Sequence, residues 1–198
     1  MTNVHQQMRL ATAAYHHALD HHPLLQRLVR KGLTVEEYRS SLLVMYAAHA
    51  ALERCVLNSE WHEKSGLQLQ PRRHLLRNDI EALGGVPFEL ADAWFGCAAS
   101  ESEWLGQAYV LEGSRQGSAV IVERVIGSLG ESIPRQFFSA SGTRDAWSRL
   151  LSRMETHLTL SRQVAIATKA AQAAFDDYRH AIDNAIKGTD PGRPVHCE

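Results

Sequence analysis

Apolar residues recur along most of the chain at spacings of three and four, which is the pattern of amphipathic α-helices. No run of alternating apolar and polar residues predicts a β-strand. The clearest helical pattern opens with a capping box formed by Thr34 and Glu37 and extends to about Ser59. Its apolar stripe comprises Tyr38, Leu42, Met45, Tyr46, His49, Leu52 and Val56. The sequence therefore predicts an all-α fold.

Glycine, proline and capping signals separate the other predicted helices. The first covers about 4–19, with Leu10, Ala14 and Ala18 along one face. A short helix follows from Pro23 to a glycine cap at Gly32. The later helices cover about 72–83, a stretch from a second capping box (Ser100 with Glu103) to about 127–130, 143–155 and 160–187. We expect a single domain of seven or eight helices over 1–187, and a disordered tail over 188–198.

Composition narrows the class of protein. Hydrophobic residues make up 44% of the 198 residues and charged residues 22%, which are ordinary values for a globular domain. The net charge of −1 gives no general attraction to nucleic acid or to an anionic membrane. No apolar run approaches the roughly 20 residues needed to cross a bilayer, and the N-terminus lacks the apolar core of a signal peptide. We expect a cytoplasmic protein without nucleic-acid or membrane partners.

Cysteine usage agrees with a reducing compartment. The chain has three cysteines, Cys55, Cys97 and Cys197, and none belongs to a C-x-x-C motif. A disulfide framework and a cysteine-based zinc site are therefore both disfavoured. The sequence also lacks the Glu-x-x-His pairs of di-iron bundles, a P-loop, a dinucleotide-binding glycine fingerprint and a G-x-S-x-G elbow.

The segment "EGSRQGS" interrupts a helical pattern with Gly113 and Gly117, four positions apart. Each glycine within a helix costs about 0.8–1 kcal/mol relative to alanine. Two uses of the missing Cβ atoms remain open: the close crossing of a second helix, or a flat ligand lying against the helix backbone. Glycines at this spacing also allow a helix to bend.

Histidine is the residue type in excess, with eleven in the chain and four in "YHHALDHH". Neutral imidazole ligates iron and zinc, although exposed histidines without a ligand are common. Helical spacing places His16 on one face with Arg9 and Asp20, and a carboxylate at i+4 can hold the second nitrogen of a ligating imidazole. His17 and His21 are also spaced as a metal pair. His49 lies on an apolar stripe one turn before Glu53, which predicts a hydrogen-bonded core histidine.

Several segments, in order, resemble bacterial haem oxygenases over much of the chain. "LATAAYHHALD" is similar to the N-terminal stretch of that family, in which the proximal histidine follows a threonine by four residues. Thr12 then selects His16 as the ligand of the haem iron. "LGQAYVLEGSRQGSA" resembles the distal helix with its Gly-Ser-x-x-Gly motif. Weaker similarities cover "EYRSSLLVMYAAHAALE", "LLRNDIEALG" and "AAQAAF".

The resemblance implies a helical haem oxygenase-like fold in which haem lies between a proximal helix and a kinked distal helix. Gly113, Ser114 and Gly117 would be the catalytic distal residues, where the helix backbone comes close to the porphyrin and to bound oxygen. Ser114 stands where animal members carry Asp, and bacterial members share the serine. Ser114 would then join a distal water network.

Three further residues match positions that contact haem or its ligand. Arg9 matches a basic residue that pairs with a haem propionate. Arg115 lies where some bacterial relatives carry a basic residue that influences haem orientation. Asp20 stands where the family commonly has Glu behind the proximal ligand, so the acid here is shorter by one methylene.

The implied activity uses haem as both cofactor and substrate, and converts it with dioxygen and electrons to biliverdin, carbon monoxide and ferrous iron. A ferredoxin or a flavoprotein reductase is the implied electron donor. The product would serve iron acquisition or supply a bilin-accepting phytochrome. One alternative is a non-catalytic haem carrier or sensor on the same fold. Another is a thiaminase-like hydrolase without haem, for which Cys55 would be the nucleophile.

Overall fold

A computed structural model describes residues 3–90, 95–140 and 144–188, and within these ranges every regular element is helical. The α-helices are α1 Val4–Asp20, α2 Pro23–Gln26, α3 Val35–Leu57, α4 Glu60–Ser65, α5 Arg73–Ala82, α6 Glu101–Gly113, α7 Ser118–Leu129, α8 Gln136–Ser139, α9 Arg144–His157 and α10 Ser161–Gly188. A short 3-10 helix, Arg27–Val29, follows α2. The predicted all-α fold is confirmed. The predicted disordered tail lies outside the described residues beyond Gly188.

Helix α3 lies between two hydrophobic clusters, as its predicted stripe requires. All seven stripe residues are buried, and both hydrogen bonds of the Thr34–Glu37 capping box are present. One cluster joins α3 to α1, α6, α9 and α10. The other joins α3 to α5, α7, α8 and the 3-10 helix. The candidate site residues of α1 and α6 therefore border the first cluster.

The buried face of α1 differs from the prediction. Leu10 is 68% exposed, whereas Val4, Met8 and Thr12 are buried. The Thr12 hydroxyl donates a hydrogen bond to the Met8 carbonyl oxygen at 2.8 Å, so a polar side chain can occupy the core side of the helix. Leu10, Ala14 and Ala18 do share one face of α1, but this face is exposed, and Thr12 lies on the core side instead.

Helices α6 and α10 cross at close range. A Cβ atom added at Gly106 would lie 2.2 Å from the Ala167 carbonyl oxygen and 3.0 Å from both Ala170 Cβ and Ala171 N. Only a residue without a side chain permits this approach, and α10 offers alanines at the crossing. The tight crossing fixes the position of α6 relative to α10.

The predicted helix over 100–130 is two helices. Helix α6 ends at Gly113, and α7 begins at Ser118. Short helices α4 and α8 were not predicted. The second capping box is half formed, because the Ser100 hydroxyl accepts from the Glu103 amide while the Glu103 carboxylate accepts from the amide of Ala99. Across the described ranges, no helix has the length and apolar character that spanning a membrane requires.

Candidate functional site

His16 and Asp20 form a paired imidazole and carboxylate on α1. The Nδ1 atom of His16 lies 2.8 Å from Oδ2 of Asp20, and the two side chains are 61% and 59% exposed. The hydrogen bond to Asp20 raises the pKa of His16, against the opposing effect of partial burial. In the neutral imidazole this pair places the proton on Nδ1 and leaves the Nε2 lone pair available as a ligand.

The other three clustered histidines have different surroundings. His17 and His21 stack with ring centroids 3.9 Å apart, and His21 Nδ1 lies 2.9 Å from the His17 carbonyl oxygen. His22 is buried, accepts from the Leu24 amide as the cap of α2, and contacts a carboxylate of α10 through Nε2. No group of three His, Cys, Asp or Glu side chains suited to a metal ion occurs among the described residues. In the cluster, His16 alone pairs with a carboxylate while staying exposed.

Aromatic residues from α6 and α10 adjoin the His16 side of α1. The His16 ring meets Phe175 of α10 edge to face, with centroids 5.7 Å apart. Tyr109 of α6 is buried, and its ring lies 6.2 Å, centroid to centroid, from that of His5 on α1. Burial raises the pKa of Tyr109, while the Thr12 hydrogen bond and the Arg9 charge act to lower it. The Arg9 charge and the Tyr109 hydroxyl therefore influence each other electrostatically at this edge.

The backbone at Gly113 and Gly117 is not crowded by another helix. A Cβ atom at Gly113 would meet only Trp147 of α9, at 3.7 Å, and one at Gly117 would meet nothing within 4 Å. Trp147 also packs against Tyr109, with ring centroids 5.5 Å apart. Of the two uses left open for these glycines, the close crossing occurs at Gly106 instead. Gly117 therefore borders open space, and the space beside Gly113 is limited only by Trp147.

The helix break at these glycines is a short run of tight turns. The amides of Arg115, Gln116 and Ser118 each donate to a carbonyl three residues earlier, at 3.0–3.3 Å. Gly117 has φ −82°, and neither Gly113 nor Gly117 is among the glycines with positive φ. Other residues could adopt this backbone, so conformation does not explain the glycines. Within the described residues, a Cβ atom at either position would also meet no crossing helix backbone.

Ser114 connects the break to a buried arginine. Its hydroxyl donates to the Leu111 carbonyl oxygen at 2.6 Å and accepts from Arg72 Nη2 at 2.6 Å. Arg72 is 1% exposed, and its guanidinium lies over the Phe137 ring at 4.6 Å. Burial, followed by the nearby positive charge of Arg115, lowers the pKa of Arg72 to about 10. Its Nε and Nη1 atoms have no hydrogen-bond partner within the described part of the chain.

His49 and Glu53 lie beside Arg72. The predicted burial of His49 is confirmed, but its Nε2 atom forms no hydrogen bond of good geometry within the described residues. His49 Nε2 is 3.3 Å from Glu53 Oε2, and both side chains are buried. Burial lowers the pKa of His49 to about 4, so the ring is neutral at pH 7. Burial would raise the pKa of Glu53, but His49 and the amides of Arg72 and Arg73 together lower it. A neutral imidazole and an ionised carboxylate thus lie beside Arg72, which donates to Ser114 of the helix break.

Arg115 is turned toward protein groups. It is 8% exposed, its Nε lies 3.0 Å from a Glu112 carboxylate oxygen, and Nη2 donates to the Gln70 carbonyl oxygen. These contacts hold the break against the loop before α5. Two arginines of α9 are also paired: exposed Arg149 with Asp145, and half-buried Arg153 with Glu101.

The thiol of Cys55 is not an activated nucleophile. Burial raises its pKa to about 11, and the Cys55 sulfur donates to the Gly96 carbonyl oxygen at 3.2 Å and to Gln107 Oε1 at 3.6 Å. A nucleophilic cysteine needs a lowered pKa and an adjacent base. Neither feature is present here, so the geometry does not support the hydrolase alternative.

Comparisons with known proteins identify the fold. No protein-family model matches the chain, and no curated protein sequence does. The NO- and CO-bound haem oxygenase of Neisseria meningitidis has a TM-score of 0.71 and 19% identity, covering 100% of this chain and 99% of that one. Haem oxygenase-1 of the cyanobacterium Synechocystis, in complex with haem, has a TM-score of 0.67 and 14% identity, covering 94% and 96%.

The chain therefore has a haem oxygenase-like helical fold. Within that fold, the structure brings Arg9, His16 and Asp20 onto one helix, as their spacing predicts. Three contributors were missed by sequence reasoning: Tyr109, Trp147 and Arg72. Spacing could have found Tyr109, which lies one helical turn before Gly113. Trp147 and Arg72 come from other helices, and only the folded structure shows that they meet the break.

Proposed function

We propose that this protein is a haem oxygenase, which binds haem between α1 and the α6–α7 break. It would cleave haem with dioxygen and external electrons to biliverdin, carbon monoxide and ferrous iron. The fold supports this reading, because two bacterial haem oxygenases share it and one of them is in complex with haem. The observation that carries the proposal is the uncrowded backbone at Gly113 and Gly117. A tight helix crossing would have explained these glycines without a ligand, but it is absent there.

The residues present fit an iron porphyrin. His16 offers a neutral nitrogen whose partner nitrogen is held by Asp20, the arrangement that orients metal-binding imidazoles. The face of the break offers backbone without side chains, and a flat apolar ring needs such a surface. Buried Arg72 has unpartnered donor atoms beside Ser114, which mark a place for water or a polar ligand.

On the proximal side, Nε2 of His16 would ligate the iron. Asp20 would keep the proton on Nδ1, fix the rotation of the ring and increase its basicity. Bound haem would supply the iron chemistry that activates dioxygen. Phe175 would pack beside the imidazole and limit its tilt, since the two rings already meet edge to face.

At the haem edge, Arg9 would pair with a propionate. It is exposed and makes no ion pair within the described ranges, so its guanidinium is available. The Tyr109 hydroxyl, which the Arg9 charge influences, would be a second donor for the same carboxylate. Two donors at one edge would select one orientation of the ring over its flipped alternative.

On the distal side, Gly113 and Gly117 would let the backbone approach the ring and leave room for oxygen. Ser114 would hold a hydrogen-bonded network there, because its hydroxyl already bridges Leu111 and Arg72. The unpartnered Nε and Nη1 atoms of Arg72 would bind water and direct its protons toward the open face. We assign Arg115 a positioning role, in which its pair with Glu112 fixes the break and, through it, the orientation of haem.

The reaction needs electrons from outside, and a ferredoxin or a flavoprotein reductase of the cytoplasm would supply them. The bilin would either release iron for the cell or pass to a phytochrome. A direct test titrates haem into the protein and adds ascorbate or a reductase under air. An oxygenase binds one equivalent, loses its Soret band and yields a bilin that chromatography identifies. Binding without loss of the band would instead indicate a haem carrier or sensor.

A further inference from the structure

Two cysteines that are distant in sequence meet beside the helix that leads to the break. Cys55 lies on α3, and Cys97 lies 42 positions later in the segment before α6. The Cys55 sulfur is 3.2 Å from the carbonyl oxygen of Gly96, the residue directly before Cys97. Cys97 also contributes, after burial, to raising the pKa of the Cys55 thiol, so the two side chains are near enough to influence each other. Both are free, with Cys97 exposed and Cys55 half-buried.

We propose that Cys55 and Cys97 are an oxidation site that forms a reversible disulfide with hydrogen peroxide. The exposed sulfur of Cys97 attacks the peroxide, which breaks the O–O bond, releases one water and leaves a sulfenic acid. The Cys55 sulfur then attacks the Cys97 sulfur and expels a second water. Two thiols and one peroxide thus give one disulfide and two waters, and a small-molecule dithiol reverses the change.

The surroundings assign different roles to the two sulfurs. Cys97 is reachable from solvent, so it meets the oxidant first. Cys55 is sheltered and donates to Gly96 and Gln107, which keeps its sulfur beside the segment that carries Cys97. Its raised pKa makes it a poor first target for peroxide but does not prevent it from trapping a neighbouring sulfenic acid. The reaction therefore has a fixed order, in which Cys97 is oxidised first and Cys55 reacts second.

The disulfide would tie α3 to the segment that opens α6. The resulting loop of about 40 residues constrains the unfolded chain, so oxidation should raise the melting temperature by about 5–10 °C. The haem-free full chain carries every group that this reaction needs. The outcome is therefore independent of whether the protein degrades haem.

The experiment uses the full-length Cys197→Ser variant, because Cys197 lies outside the described residues and could exchange with either thiol. The protein is treated with hydrogen peroxide, alkylated, and analysed by intact mass and by a non-reducing peptide map. We expect a monomer lighter by two hydrogen atoms, joined through Cys55 and Cys97, with the raised melting temperature. Dithiothreitol should restore both thiols and the original melting temperature.

Adding Cys97→Ser to the same background provides the matched control. Because Cys97 is exposed, this variant should fold normally, keep an alkylatable Cys55 and show no rise in melting temperature with peroxide. Three results would overturn the proposal: both thiols persisting after peroxide, Cys97 gaining two or three oxygens while Cys55 stays free, or dimers linked through Cys97.

Discussion

Two substitutions on one helix, Gly113→Leu and Gly106→Leu, should differ in their effect on the stability of the haem-free protein. At Gly113 the first added carbon would lie 3.7 Å from Trp147, an ordinary van der Waals distance. Leucine also favours the helix over glycine by up to about 1 kcal/mol. The haem-free variant should therefore keep the parental free energy of unfolding within about 1 kcal/mol. The branched side chain would instead fill the space that we assign to haem or oxygen.

At Gly106 the same leucine has no room. Its Cβ would lie 2.2 Å from the Ala167 carbonyl oxygen, so α6 and α10 must separate. Overpacking of this kind typically costs 1–3 kcal/mol or more, which exceeds the gain in helix propensity. This variant should lose stability before any haem is added.

Denaturant unfolding followed by circular dichroism measures the free energy of unfolding of each variant. Haem titration and bilin formation measure whether the haem site still works. We expect Gly113→Leu to keep its helical signal while haem affinity falls or turnover is lost. A Gly113→Leu protein that binds haem and forms bilin at the parental rate would refute the assignment of this space. Equal destabilisation of both variants would show that Gly113 also serves helix packing.

Three other predictions concern single side chains. Arg9→Glu should weaken haem affinity about fivefold and alter the bilin isomer, since an exposed ion pair is modest; unchanged affinity and product would remove Arg9 from the site. Asp20→Asn should lower the pKa of His16 in the haem-free protein, measured by NMR, because the carboxylate raises it. Because the folded pKa of His49 is about 4, below the usual 6.5, the free energy of unfolding should fall by about 3 kcal/mol between pH 6.5 and 4. Denaturation of His49→Gln across that range should lack this share of the loss.

The fold was predictable where a capping residue and an apolar stripe indicate the same helix. Thr34 caps α3, and the seven-residue stripe of α3 reads as a single buried face. Helix α6 gave no such stripe, because it is buried on nearly all sides. The face of α1 was misjudged because Thr12 satisfies its hydroxyl within the helix. Periodicity identifies a helix reliably, but which face is buried depends on neighbours that the sequence does not display.

In the candidate site, contacts within one helix were predictable from the sequence, and contacts between helices were not. His16 and Asp20 are four residues apart on one helix, so sequence spacing sufficed to predict their pairing. The contact of Ser114 with Arg72 joins positions 42 residues apart, and nothing local marks Arg72 as buried. Arg115 was predicted as a residue that contacts haem, and the sequence did not indicate that it is buried in an ion pair with Glu112. Long-range contacts of this kind arise from packing between helices.

Replacing the proposed ligand tests the central claim most directly. His16→Ala should remove the iron–nitrogen bond while leaving the apolar surfaces and Arg9, so some haem should still bind with a shifted Soret band and little bilin formation. Added imidazole should enter the vacated space and restore part of the activity. His17→Ala, its exposed neighbour, should behave like the parent. If His16→Ala keeps the parental spectrum and turnover while His17→Ala loses both, His16 is not the ligand and the proposed site is wrong.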